Sequence, residues 1–281
     1  MINYDGELLQ ESSTYFNANN RGFSHGDALL EKLRIAPKKI YFWEDHYLRL
    51  MASMRILRME IPMNFTMEYL EDQLLKTIRE SGMEDSSVLV NLYVFRKTPQ
   101  NGADLENEVS FLISPQVETS AFYIKNNSSY RLEVYKDHFI QAGMISNLST
   151  VNDLINTIGK VYASENGYDD CIVLNDQKNV VQTLRGNLFL VNQNHIKTPP
   201  IADGCENGIL RKKMIELLRK VPDYTLEEAS ISPFEIQKAD ELFITNIKVG
   251  IQSVTHYRKA SYKSVVADEI LGKLNALARL S

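Results

Sequence analysis

Arg49, in the run Asp45-His46-Tyr47-Leu48-Arg49-Leu50, carries a planar guanidinium that can give two parallel, charge-assisted hydrogen bonds to a phosphate or a carboxylate. It lies in residues 44–57, where Tyr47, Leu50, Met51, Met54 and Leu57 recur at helical spacing, so an arginine that simply faces solvent on an amphipathic helix is the alternative. A second possible anion site needs no charged side chain. Asn207-Gly208 precedes an apolar-periodic run, residues 209–220. A helix starting there would offer unpaired backbone N–H groups and the positive end of its dipole to phosphate oxygens. Gly208 would let the backbone come close to a ligand, although a plain loop glycine fits the same letters. Cys171 and Cys205 have neither disulfide-scaffold nor zinc-site spacing. Each reads as a small buried apolar group, and no metal is expected.

Periodicity gives the elements that would carry these residues. Residues 40–43 look like a short strand, 44–57 and 67–80 like helices, and 88–95 and 108–113 alternate as strands, which predicts an α+β domain. The pattern breaks in a polar stretch containing Pro115 and resumes at 130–135. That places the linker near residue 118, between an N-terminal domain of residues 1–118 and a C-terminal domain of residues 119–281. In the second half, a helix over 153–165 ends before Asn166-Gly167. Short strands at 171–174, 188–191 and 195–198, joined by polar turns, predict an antiparallel meander. A helix over 209–220, a buried strand at 242–245 and a C-terminal helix over 266–280 follow.

Composition narrows the classes. A chain of 281 residues suffices for one large domain or two ordinary ones. Hydrophobic content of 44% and charged content of 24% are those of a globular protein. No run approaches the roughly 18 apolar residues of a membrane span, so a soluble protein with no membrane association is expected. Residues 1–11 mix acidic and apolar side chains, unlike an export signal, which makes the cytoplasm the default location. With 31 Lys plus Arg against 36 Asp plus Glu, the net charge of −5 argues against a nucleic-acid partner. A local basic pocket could still hold one phosphate of a small-molecule ligand.

Several segments carry a resemblance when taken together. They are Arg21-Gly-Phe-Ser-His-Gly-Asp27 followed by Leu30, Glu31 and Arg34; Asp45-His46-Tyr-Leu-Arg49-Leu50; Glu165-Asn-Gly-Tyr-Asp-Asp-Cys-Ile-Val-Leu174; Asn187-Leu-Phe189; Thr198-Pro-Pro200; and Asn207-Gly-Ile-Leu-Arg211. In this order and spacing the chain resembles the class IV aminotransferases, pyridoxal-phosphate enzymes of fold type IV, with Leu30 departing from the usual Phe. The resemblance implies an α+β, two-domain fold like that of the D-amino-acid aminotransferase-like enzymes. Its N-terminal α/β domain would be the smaller, and its larger C-terminal domain would combine antiparallel strands with helices. It also implies pyridoxal phosphate at the domain interface and a homodimer whose pocket the neighbouring chain completes. Cofactor binding would fall to Arg49, Gln182, Gly208, Ile209, Leu210, Asn246 and Ile247. His25, Glu31, Arg34 and Asn91 would belong to the substrate side. Asn91 stands where relatives commonly carry Arg, which leaves Arg96 or Arg185 for a substrate carboxylate. The Asn-Gly-Ile form and Thr245-Asn246 look closer to the aminodeoxychorismate lyase branch.

The same alignment exposes two departures. Ser149, in Ser149-Thr-Val-Asn152-Asp-Leu154, occupies the slot of the lysine that links to the cofactor and later moves a proton; Asn152, Leu154 and Lys160 hold the register. A hydroxyl cannot form the link and is a poor base. A positioned general base contributes about 10²–10⁴-fold, or about 3–5 kcal/mol of barrier. Gln182 replaces the glutamate that keeps the pyridine nitrogen protonated, and a neutral amide scarcely stabilises that charge. Lys136, Lys160 and Lys248 are the candidates for a displaced lysine, and Lys248, in Thr245-Asn-Ile-Lys-Val-Gly250, is the one suited. Two functions follow. One is a class IV aminotransferase or aminodeoxychorismate lyase-like protein with ordinary transamination impaired. The other is a catalytically silent homologue that holds pyridoxal phosphate or an anionic metabolite non-covalently, or acts as a dimeric partner, or lacks the cofactor altogether.

Overall fold

Alternating apolar residues along three long strands build the first half of the protein. The computed structural model describes residues 1–14, 16–37, 39–99 and 106–281. The chain divides into two units, residues 1–121 with 149–152 and 281, and residues 122–148 with 153–280.

The first unit contains β1 (Ile2–Tyr4), β2 (Glu7–Leu9), α1 (Arg21–His25), β3 (Ala28–Ala36), β4 (Lys39–Ile40), α2 (Trp43–Ile56), α3 (Met67–Glu80), β5 (Ser87–Arg96) and β6 (Val109–Glu118). Its strands form one antiparallel sheet in the order β2-β1-β6-β5-β3-β4. Leu29, Leu33 and Ile35 of β3, Val88, Val90, Leu92 and Val94 of β5, and Phe111 and Ile113 of β6 share one face. They are buried against Leu50, Met51 and Met54 of α2 and Leu70, Leu74 and Ile78 of α3.

Two expectations change here. The apolar run 40–43 is not one strand: only Lys39–Ile40 pair with β3, and Phe42 takes a left-handed backbone (φ 56°) that turns the chain into α2. Nor does the chain break at Pro115. β6 continues to Glu118, and Pro115 lies opposite Val90 of β5, while the β1 ladder on the other side of β6 involves only Leu112 and Ile113. A proline without an N–H is tolerated where one flank of the strand is an open edge.

Residues 149–152 attach to β3. Leu30 N–H donates to the Ser149 carbonyl (3.0 Å) and Val151 N–H to the Ala28 carbonyl (3.1 Å), around an antiparallel bridge between Leu29 and Thr150. Asn152 Nδ2 donates to the Gly26 carbonyl (3.0 Å), and a Cβ on Gly26 (φ +63°) would lie 2.1 Å from Asn152 Oδ1. That glycine is required both by its backbone and by the close approach.

The second unit contains β7 (Arg131–Ile140), α4 (Leu154–Glu165), β8 (Asp170–Asn175), β9 (Val180–Thr183), β10 (Asn187–Asn192), β11 (His195–Thr198), α5 (Ile209–Leu218), β12 (Thr225–Glu228), α6 (Pro233–Lys238), β13 (Glu241–Asn246), β14 (Gly250–Val254), β15 (His256–Tyr257), β16 (Ala260–Ser261) and α7 (Val265–Leu280). The expected single meander is divided between two sheets, β16-β15-β7-β8-β9 and β12-β11-β10-β13-β14. The division falls at Gly186, where a Cβ would lie 2.3 Å from the Thr245 carbonyl, so the chain leaves β9 and pairs β10 with β13 instead. β7 and β8 run parallel because the connection through α4 returns the chain to the same end of the sheet. The fold is α+β, and among the described residues no helix is long and apolar enough to cross a membrane.

Candidate active site

Strand alternation separates two residues that the sequence grouped together. Glu31 shares the α2-covered face of β3 with Leu29 and Leu33, whereas Leu30, Lys32 and Arg34 point to the opposite face. Under α2, Arg49 grips the Glu31 carboxylate bidentately, Nε to Oε1 at 2.9 Å and Nη2 to Oε2 at 2.7 Å. His46 Nδ1 lies 2.8 Å from Oε2 and donates to it, since a carboxylate can only accept. Burial pushes the Glu31 carboxyl up, but Arg49 and His46 outweigh this and hold it below the ordinary value of 4.5. Burial, together with the Arg49 charge, holds the His46 imidazole below its ordinary value of 6.5, against the hydrogen bond and charge of Glu31. Two of the five N–H donors of Arg49 are therefore engaged by a neighbouring side chain.

Arg34 and Arg96 of this unit also have partners. Arg34, only 4% exposed, donates to the Ser120 carbonyl (2.6 Å). Arg96, considered above for a substrate carboxylate, is instead paired with Asp27 (2.5 Å) and donates to the Leu57 carbonyl. Asp27 also accepts from Arg21 Nε (3.0 Å), so the opening Arg-Gly-Phe-Ser-His-Gly-Asp motif is a clasp that ties α1 to β5. A buried guanidinium demands such compensation. His25 is exposed, with Nδ1 2.6 Å from Ser24 Oγ. Asn91 lies opposite Lys32 in the sheet, and its buried Oδ1 accepts no hydrogen bond among the described residues.

The bridge between Leu29 and Thr150 sets the direction of Ser149. Residues paired across an antiparallel bridge share a face, so Thr150 sides with Leu29, and Ser149 stands opposite Leu30 on the face away from α2. Val151 leaves on that same face and packs with Ala28, Phe95 and Leu112. Among the described residues the Ser149 hydroxyl has no hydrogen-bond partner, hence no base beside it.

In the second unit, the turn before α5 is pinned from both sides. Gln182 Oε1 accepts from Glu206 N–H (2.8 Å), Asn187 Nδ2 donates to the Glu206 carbonyl (2.9 Å), and Asn147 Nδ2 donates to the Cys205 carbonyl (2.7 Å). Gly208 then caps α5 with no side chain over it. The first-turn N–H groups, from Ile209 and Leu210 onward, thus lack a side-chain acceptor. A Cβ at Gly208 would sit 2.3 Å from Asn187 Oδ1. Directly across from Asn187 in the β10–β13 register is Thr245, 2% exposed, whose Oγ1 has no partner among the described residues. Both side chains lie on the sheet face that receives the α5 turn. Asn246 Oδ1 accepts from Lys248 N–H (3.0 Å) and Val249 N–H (3.1 Å), folding Ile247 and an exposed Lys248 into the β13–β14 turn. Arg185 is exposed in the β9–β10 turn.

Gln182, Gly208 and Asn246 are therefore brought together through Gly186 and Asn187. The Thr245 hydroxyl and the Asn187 amide went unread as site groups in the sequence. The available signal was a polar residue at each end of an otherwise apolar strand, Asn187 before Leu188–Val191 and Thr245 after Leu242–Ile244.

Beside this region Asp170 is fully buried, and burial pushes its carboxyl up to about 6, against hydrogen bonds from Thr183, Cys171 N–H and Tyr130 and the charge of Arg185. A carboxyl raised in the folded state adds stability below its unfolded value of 3.8 and loses it as pH rises through about 6. Relative to Asp170→Asn, the protein should lose about 3 kcal/mol across that window. Urea unfolding at both ends of the window measures this, and parallel stability curves would refute it.

The α5 turn suits a phosphate group: uncapped helix N–H donors, a glycine permitting close approach and an unpartnered buried hydroxyl. A family model described as amino-transferase class IV matches residues 28–257. A putative branched-chain-amino-acid aminotransferase of Methanocaldococcus jannaschii is 26% identical over 260 residues, covering 90% of this chain and 86% of that protein. An aminodeoxychorismate lyase of Vibrio harveyi is 21% identical over 252 residues, covering 86% and 87%. The branched-chain amino acid aminotransferase of Thermobaculum terrenum, solved in its PLP form, superposes with a TM-score of 0.83 at 19% identity over 99% of this chain and 92% of that one. The fold is thus that of fold type IV enzymes, a pyridoxal-phosphate-dependent group, and the family match over residues 28–257 establishes that the chain belongs to the class IV aminotransferases.

Proposed function

We propose that this protein takes up pyridoxal phosphate with the phosphate at the start of α5, and that ordinary transamination through residue 149 is lost. The observation that carries the reading is the uncapped α5 start beside the unpartnered Thr245 hydroxyl. Bound pyridoxal phosphate supplies an aldehyde that combines with amines and a ring that withdraws electron density. Ile209 and Leu210 would donate backbone N–H groups to the phosphate, Gly208 would allow the approach, and Asn246 and Ile247 would line the adjoining turn. Ser149, lacking both an amine and a base, would neither anchor an aldehyde nor move a proton.

The test is Gly208→Ala, whose Cβ would displace Asn187 and crowd the anion site. It should weaken pyridoxal phosphate binding at least about tenfold, about 1.4 kcal/mol, in an equilibrium titration of the folded variant. Undiminished affinity would remove the reading.

Gln182 favours a second reading, a silent homologue that holds the cofactor or another anionic metabolite non-covalently. Its amide oxygen is taken by Glu206 N–H, leaving the amide nitrogen as a neutral donor that suits an unprotonated ring nitrogen and not a pyridinium. Association into a homodimer is part of either reading. Leu154, Ile158 and Val161 are exposed along one side of α4, an apolar stripe that association would cover.

A further inference from the structure

One edge of the second unit gathers positive charge in a concave site. β15 lies beside β7 with His256 opposite Arg131, and after Tyr257 the chain turns through Arg258 and Lys259 into β16. Arg258 has a left-handed backbone (φ 54°) at the first position of this two-residue turn, which ordinarily takes glycine. Such a conformation persists only where the surrounding structure holds it. Here Arg258 Nε donates to Glu133 Oε1 (3.3 Å), and the same oxygen accepts from Val134 N–H (2.9 Å). Arg131, Glu133, Tyr168, His256, Arg258 and Lys259 line a cleft of about 280 Å³. Among the described residues, the Arg131 guanidinium and the Lys259 ammonium have neither a hydrogen-bond nor an ion-pair partner. The Nη groups of Arg258 and the half-buried Tyr168 hydroxyl make no hydrogen bond.

We propose that this cleft binds a small phosphate-bearing dianion. The three cations against the single carboxylate of Glu133 leave a net charge of +2 on the lining, in a chain whose total is −5. Asp169 lies outside the lining, with Oδ2 accepting from the Arg131 main-chain N–H (2.7 Å). Cations gathered in a concavity focus the field and raise the local concentration of anions. A phosphate group carries nearly two negative charges and three acceptor oxygens. The planar forks of Arg131 and Arg258 suit those oxygens, the Lys259 ammonium adds a point charge, and the Tyr168 hydroxyl supplies a neutral donor. The volume is at the small end of ligand sites, about 300–1,000 Å³, which favours a compact ligand. No residue of the α5 turn lines the cleft, so its occupancy is independent of pyridoxal phosphate uptake at that turn.

The test is the rate at which phenylglyoxal labels each arginine, read by peptide mapping, as inorganic phosphate or, separately, glycerol 3-phosphate is titrated in. Arg131 and Arg258 are exposed and react in the free protein, and Arg79, exposed on α3, is the reference. Both anions should slow the labelling of Arg131 and Arg258 together and leave Arg79 unchanged, while sodium chloride at matched ionic strength should protect none of the three. The lower half-protection concentration identifies the free ion or the ester as the occupant. Lys259→Gln removes one cation and touches neither reporter arginine. It should raise the half-protection concentration about tenfold, the loss of one hydrogen bond to a charged group. Its unfolding midpoint should be unchanged, since Lys259 has no partner to lose among the described residues. Protection equalled by chloride or shared by Arg79, no protection of Arg131 and Arg258, or a half-protection concentration unmoved in Lys259→Gln would overturn the proposal. Binding at the α5 turn alone leaves both arginines unprotected, so that reading stands or falls separately.

Discussion

Ser149→Lys should convert this protein into one that carries a borohydride-reducible pyridoxyl group at position 149 and turns over amino donors about 10²–10⁴-fold faster than its parent. That range is what a positioned general base contributes, about 3–5 kcal/mol of barrier. The geometry permits it. The antiparallel bridge between Leu29 and Thr150 holds the backbone of 149–152 in place, so a longer side chain at 149 leaves the sheet in a determined direction, on the face away from α2. The position is half-buried and its hydroxyl has no partner among the described residues, so the substitution breaks no hydrogen bond. Steady-state kinetics with amino-acid donors, together with the mapped label, are the measurements. A folded variant with no label at 149 and unchanged rate would show that residue 149 is not the lysine slot.

Glu31→Gln should produce the largest loss of stability. Its carboxylate is 3% exposed and satisfies Arg49 and His46 at once, so the amide leaves a guanidinium without its counter-charge and removes the acceptor for one of the two partners. Breaking a buried pair by removing one member destabilises by about 3–5 kcal/mol. The pH dependence is a second signature. The Glu31 carboxyl is held below 4.5, so its stabilisation is present above that value and lost as pH falls through the lower folded-state value. Acid should therefore narrow the gap between parent and variant, and a denaturant midpoint that does not shift at neutral pH would contradict the assignment.

Much of this architecture was legible in the residues. Helices α2, α3 and α7 appeared through apolar spacing, and the end of α4 through Asn166-Gly167, because those signals are local. The strand through Pro115 was hidden because tolerance of that proline depends on how far β1 extends along the neighbouring edge. The separation of β9 from β10 was equally hidden, since the close approach of Gly186 to Thr245 joins residues far apart in sequence. The site followed the same rule. Motif letters marked Gly208 and Arg49, but Arg49 proved to be engaged by Glu31, and the unpartnered Thr245 hydroxyl emerged only once β10 and β13 were paired.

Uptake of pyridoxal phosphate by this protein requires that the start of α5 hold its phosphate. Equilibrium dialysis of the protein against pyridoxal phosphate and, separately, against pyridoxal addresses this directly, since the two differ only in that group. The phosphorylated form should be retained at one per chain and pyridoxal should pass through. Equal retention of the two, or retention of neither, would contradict the assignment of the α5 turn as the phosphate site.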